Sequence, residues 1–189
     1  AAVVLSEHHG TEDGYMNSPL LIAGSVLGAT NNLFCSVSAL LLPLHDQLRI
    51  AEEIATIDLI APGRFNVVMG IGYRESEFEM FDKNRKTRGK DTEEAIRTIL
   101  TALRGEPFEY KGREVLISPK PVSAPSSLIS VGGSVEISAT RAARLGLPFV
   151  PAVRDESLET AYYAEAKEVG YETPMCMMPS GPGMAMGVK

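Results

Sequence analysis

Short apolar runs and amphipathic stretches take turns along the whole chain. AAVVLS (1–6), FCSVSALLLP within 31–43, FNVVMGIG (65–72), LISVGG (128–133), LPFVPAV (147–153) and PMCMMPSG (174–181) read as strands, most of them apolar on both faces. Between them lie stretches with helical spacing. LLIAGSVLGAT (20–30) follows an Asn17-Ser18-Pro19 start signal, and Asp46 caps a run in which Leu48, Ala51, Ile54, Ala55, Leu59 and Ile60 recur every three or four residues. DTEEAIRTILTALRG (91–105), SVEISATRAARLG (134–146) and ESLETAYYAEAKEVG (156–170) continue the pattern, and residues 73–90 read as a polar connection. FEYKGREVLI (108–117) alternates around Lys111-Gly112, which predicts a hairpin inserted at about 106–125.

Buried strands alternating with helices pair in parallel through crossovers, so the fold class is α/β. An open doubly wound sheet and a (β/α)8 barrel both fit. The first strand does not run into GxGxxG, which weakens a dinucleotide-binding reading. Polar residues follow nearly every strand, as when all strand ends share one mouth, and this favours the barrel. Six strands are two short of eight, and 189 residues fall short of the ~250 typical of a complete barrel. The expectation is a single partial barrel domain over 1–189, truncated by its first strand and helix and by its last strand or strands. A composition of 44% hydrophobic and 22% charged residues suits one soluble domain, and the net charge of −6 argues against nucleic-acid or anionic-membrane partners. No apolar run approaches the ~20 residues of a membrane span, no secretory signal is visible, and Cys35 and Cys176 read as reduced core residues, which together point to the cytoplasm.

Two of the three histidines stand side by side in SEHHGTED (6–13), just where the first strand ends. A solvated polar loop is the plain reading. A metal is disfavoured, because adjacent residues of an extended chain point apart and only Glu7, Glu12, Asp13 and His45 are at hand to complete a site. The better use is one imidazole moving protons near neutral pH beside Glu7. VGGS (131–134) offers backbone amides at a helix start, with Ser138 one turn on, as a seat for an anion; a tight turn with an N-cap explains it as well. Arg74 or Arg88 is placed to reach the same anion. Gly70-Ile71-Gly72 would admit something flat against the backbone. Met175, Met177, Met178, Met184 and Met186 read as core.

These motifs together resemble a known family. EHHGTEDGY, SPLLIAGSVLGATNNL, the long block SALLLPLHDQLRIAEEIATIDLIAPGRFNVVMGIG, the Arg88 segment and VGGS with AARLGLP are similar to the bacterial luciferase-like flavin-dependent monooxygenases over essentially the whole chain. The resemblance implies a (β/α)8 barrel with an insertion, holding reduced FMN, or in a sister branch coenzyme F420, at its mouth. It implies catalytic roles for His8, in acid–base chemistry between reduced flavin and oxygen, and for its neighbours His9 and Glu7. It places cofactor contacts at Ser38, Ala39, Gly72, Tyr73, Arg74, Arg88, Gly132, Gly133, Ser134 and Ser138, with a non-prolyl cis peptide at Ser38-Ala39 and no metal.

The activity so implied is an oxidoreductase, an FMNH2-dependent monooxygenase putting one oxygen of O2 into a small organic substrate, supplied by a separate flavin reductase and working as a homodimer. F420-dependent hydride transfer and a non-catalytic flavin-binding relative are the alternatives. The chain also departs from the family pattern. The reactive cysteine of luciferase is replaced at or near Gly72, and Gln47 stands where relatives usually carry proline, a change expected to loosen one loop. The substrate is not legible.

Overall fold

The computed structural model describes residues 1–178. In chain order its elements are β1 (Ala2–Leu5), α1 (Pro19–Gly28), β2 (Phe34–Leu41), α2 (Gln47–Ile60), β3 (Phe65–Gly70), α3 (Glu75–Met80), α4 (Arg88–Ala102), β4 (Phe108–Tyr110), β5 (Arg113–Val115), α5 (Pro125–Leu128), β6 (Ile129–Gly133), α6 (Glu136–Arg144), β7 (Phe149–Pro151) and α7 (Glu156–Glu168). Five strands form one parallel sheet in the order β1-β2-β3-β6-β7, so each new strand joins on the same side as the last. A doubly wound sheet reverses direction at a switch point. This one does not, and it winds as the wall of a barrel winds.

Local chemistry sets the boundaries. Pro19 occupies the first turn of α1, although the Ser18 hydroxyl does not cap it. Asp46 does cap α2, accepting from the amides of Leu48 and Arg49 at 3.0 Å. Pro43 stops β2 in a 3-10 turn, Leu42–Leu44. In the hairpin, Lys111 and Gly112 take φ values of 49° and 75°, the paired left-handed turn that suits a two-residue connection.

The strands are less symmetric than their composition suggests. Cys35, Val37, Phe65, Val67, Met69, Ile129, Val131 and Phe149 join one buried cluster with Ala23, Ala51, Ile54, Ile96, Ile99, Ala139 and Ala142 of the helices. Alternate positions carry Ser36, Ser38, Asn66 and Ser130 on the opposite, inner face, where the Ser130 hydroxyl donates to Asn66 Oδ1. β2 is therefore apolar on one face only. Val4 is 66% exposed because β1 lies at the sheet edge. The strand expected at 174–181 reduces to one parallel bridge, Phe149 to Cys176, among the described residues, and positions 179–181 lie outside them. Met175 and Met177 are exposed rather than core, while Met184 and Met186 also lie outside the described residues. The polar 73–90 connection contains the short helix α3, and α4 starts three residues earlier than its apolar spacing indicates.

One carboxylate fastens the segment after the hairpin to α2. Asp58 is fully buried and accepts from the amides of Val122 and Ser123, both at 2.7 Å, and from the Ser123 hydroxyl at 2.6 Å. Removing it leaves buried donors without partners. Asp58→Ala is expected to lower the unfolding free energy by about 3 kcal/mol, read as a lower urea midpoint. A loss within about 0.5 kcal/mol would show that Asp58 does not hold this segment.

Candidate active site

The chain leaving β1 sends Glu7 inward and the two histidines apart. Glu7 is 1% exposed, and its Oε2 accepts from the Leu41 amide at the end of β2. Its Oε1 accepts from His9 Nε2 at 2.8 Å and from His45 Nε2 at 2.7 Å. His45 is delivered by the 3-10 turn after β2. Burial pushes the Glu7 carboxyl upward, but hydrogen bonding and charge from His45, the Leu41 amide and His9 more than offset it, leaving it below the ordinary 4.5. Two imidazoles and a carboxylate are a set able to hold a metal, and their ligand atoms lie within 4.8 Å of one another. Here those atoms are engaged with each other. Glu12 and Asp13, the other candidates, are exposed, and Asp13 turns back to the Tyr15 amide.

His8 points the other way. Its Nδ1 lies 2.8 Å from Glu77 Oε1, which also accepts from the His9 amide at 3.1 Å. Glu77 sits on α3, 1% exposed, with its Oε2 lacking a hydrogen-bond partner among the described residues. An oxygen already accepting an amide proton makes Nδ1 the donor, so Nε2 is the basic nitrogen of the neutral ring. Tyr15 and Tyr73 flank that ring at 5.4 and 5.6 Å. The Arg74 guanidinium lies 5.7 Å over the Tyr73 ring, the same ring that meets His8 edge-on.

Glycines and a bulge shape the strand ends. The Ser38-Ala39 peptide is cis, and the β2–β3 register shifts there. A Cβ on Gly70 would stand 2.8 Å from that of Ala39, and one on Gly132 would stand 2.9 Å from Val68 Cγ1. Gly72 has φ +68°, and a Cβ on it would meet the Phe78 ring at 3.0 Å. The room the sequence assigns to a flat ligand at this glycine is thus taken by Phe78. At Gly133 a Cβ would fall 2.3 Å from Ser138 Oγ, so only glycine fits. Ser138 is fully buried and its hydroxyl lacks a partner among the described residues. Ser134 is not the N-cap: Val135 holds that position and Ser134 is exposed outside it. Arg88 opens α4, half-buried; its Nη1 donates to the Arg85 carbonyl at 2.8 Å, and its Nε is buried without a partner among the described residues.

A groove of about 690 Å3 runs between α1 and α2, touched by His45 but not by His8, Glu77 or Ser138. Sequence reasoning missed Glu77 as a partner of His8. It is one of several glutamates in ESEFEM, and only the turn of α3 separates the buried one from its exposed neighbours. His45 figured there only as a spare ligand.

Over residues 1–173 the chain matches the luciferase-like monooxygenase family. It belongs to that family. The protein y4vJ of Sinorhizobium fredii, itself uncharacterized, is 30% identical over 87% of this chain and 51% of its own length. The chain thus spans about half the length of that curated relative. The oxygenating constituent of 3,6-diketocamphane monooxygenase from Pseudomonas putida, solved with FMN, superposes with a TM-score of 0.73 at 20% identity, covering 89% of this chain and 53% of that one. An F420-dependent secondary alcohol dehydrogenase, solved with an F420-acetone adduct, gives 0.71 at 19%, covering 89% and 55%. The fold of this family member is the (β/α)8 TIM-barrel type, truncated relative to those neighbours, and the neighbours are oxidoreductases using flavin or F420. No helix among the described residues is long and apolar enough to cross a membrane.

A carboxyl whose folded pKa lies below its unfolded value contributes stability above that unfolded value and loses it as pH falls through the folded one. For Glu7 the window opens at the ordinary 4.5 and extends downward. Glu7→Gln is expected to melt well below wild type at pH 7, with the gap narrowing as pH drops under 4.5. A gap independent of pH would show that the Glu7 charge contributes nothing.

Proposed function

We propose that this chain carries the flavin-binding mouth of an FMNH2-dependent monooxygenase that uses O2 to oxygenate a small organic substrate. The observation supporting it is a His8 ring fixed at Nδ1 by buried Glu77, on the same run of strand ends as the Ser138 hydroxyl and Arg88 Nε, which have no partner among the described residues. Buried polar atoms without partners, behind a glycine that no other residue can replace, suit the phosphate of a nucleotide cofactor.

In this reading Arg88, Gly132, Gly133, Ser134 and Ser138 would hold that phosphate. Ser38, Ala39, Tyr73 and Arg74 would line the ring system, with Gly72 behind them against Phe78. Reduced flavin, when bound, supplies the electrons that activate O2. His8 Nε2 gives or takes the proton at the reacting end, Glu77 keeps the tautomer, and Glu7 with His9 and His45 fixes the backbone from which His8 projects. A separate reductase supplies the reduced cofactor. A homodimer is proposed across α1 and α2, where Leu21, Ile22, Leu59 and Ile60 stay exposed. The cytoplasm is the proposed compartment.

The second reading, F420-dependent hydride transfer, is supported by the shared fold of the F420-dependent dehydrogenase. Rapid mixing of the protein and FMNH2 with O2 separates the two, since a monooxygenase gives a flavin absorbance transient. Oxidation of F420H2 with no such transient would decide for hydride transfer. Within the first reading, His8→Ala is expected to lower turnover by about 10²–10⁴-fold, with FMN affinity within about twofold of wild type. FMN binding by a wild type without turnover would instead mark a non-catalytic flavin protein.

A further inference from the structure

We infer that Arg141, which no motif in the chain singles out, is a direct ligand of the cofactor's terminal phosphate and makes the site select a phosphate monoester. The inference rests on the proposed flavin reading. Arg141 lies on α6 one turn beyond Ser138, and neighbours at that spacing share a helix face. It is 5% exposed, and its Nε and Nη1 have no hydrogen-bond partner among the described residues. The carboxylate nearest to hand does not satisfy it. Glu93 Oε2 approaches Nε only to 3.5 Å, and Glu93 Oε1 already accepts from Arg97 at 3.1 Å.

The guanidinium reaches across to the first turn of α4, where a Cβ on Gly89 would lie 3.2 Å from Arg141 Nη2. Gly89 follows Arg88, whose Nε is likewise buried with no partner among the described residues. Arg141 thus reaches the residue next to Arg88 and lies one turn from Ser138, and all three carry a buried group able to donate that has no partner among the described residues. Buried N–H groups left unpaired are costly, so a set of this kind is complementary to an acceptor-rich anion. Arg141 meets one part-exposed glutamate only at 3.5 Å, and that glutamate is shared with Arg97, which leaves an excess of positive charge. A phosphate monoester, close to doubly ionised at neutral pH, matches that excess better than a singly charged diester. Arg141 thereby adds a buried guanidinium to a cradle whose Ser134 is exposed outside the helix.

The test is equilibrium binding of FMN, riboflavin and inorganic phosphate to wild type, Arg141→Lys, Arg141→Met and Glu93→Gln. Arg141→Met is expected to weaken FMN binding by about 10–100-fold, the range of a lost charged hydrogen bond, and to leave riboflavin within about twofold. Arg141→Lys falls between. Phosphate should raise the melting temperature of wild type and lose that effect in Arg141→Met. Glu93→Gln should keep or tighten FMN binding. Equal losses for FMN and riboflavin, or a Glu93→Gln that reproduces Arg141→Met, would make Arg141 a strut between helices and overturn the inference. Phosphate stabilisation that persists in Arg141→Met would do the same. Failure of both flavins to bind wild type would instead sink the flavin reading, with the phosphate shift still judging Arg141 by itself.

Discussion

A single buried carboxylate holds the strand ends of this molecule in their working arrangement. Glu7 ties the exit of β1 to the last amide of β2 and to the imidazoles of His9 and His45. Ionised and out of water, such a group survives only with several donors around it. Those donors come from three points of the chain, so satisfying Glu7 fixes the relative positions of all three. The side chain of His8 is then sent to the opposite side, where Glu77 receives it. Adjacent histidines thus divide into one that anchors and one that faces the mouth.

The fold was legible in the sequence because its signal is periodic and repeated. Each buried strand and each helical stripe adds to the same conclusion, and Asp46, Pro19 and Pro43 act through local geometry that needs no tertiary context. The failures fall where tertiary context decides. Both faces of β2 look alike in composition, yet Ser36 and Ser38 occupy one face and Cys35 and Val37 the other. α3 is too short for a periodic signature, and it carries Glu77. Ser134 looked like a cap because it follows two glycines, but the helix begins one residue later, after Val135.

The site was legible at its motif residues and illegible at their partners. His8, Gly133 and Ser138 stand in recognisable strings. Their partners do not: Glu77 lies 69 residues from His8 and His45 lies 38 from Glu7, brought in by packing alone, while Arg141, one turn from Ser138, is marked only by its burial. Gln47 shows the same limit from the other direction. Its departure from the family's usual proline is expected to loosen a loop, whereas its side-chain amide donates to Tyr110 Oη at 2.6 Å and ties the start of α2 to the hairpin.

That last bond sets up a mechanical relation between surface and centre. Tyr110 ends β4, beside the tip of the hairpin, and Gln47 is two residues from His45 in the chain. The inserted arm is consequently braced against the segment that carries an imagined lever's fulcrum, Asp46, and its load, the imidazole resting on Glu7. Exchanging the arm for one of different length or stiffness is a way of re-aiming an interior ring from outside, with every residue at the mouth left as it was.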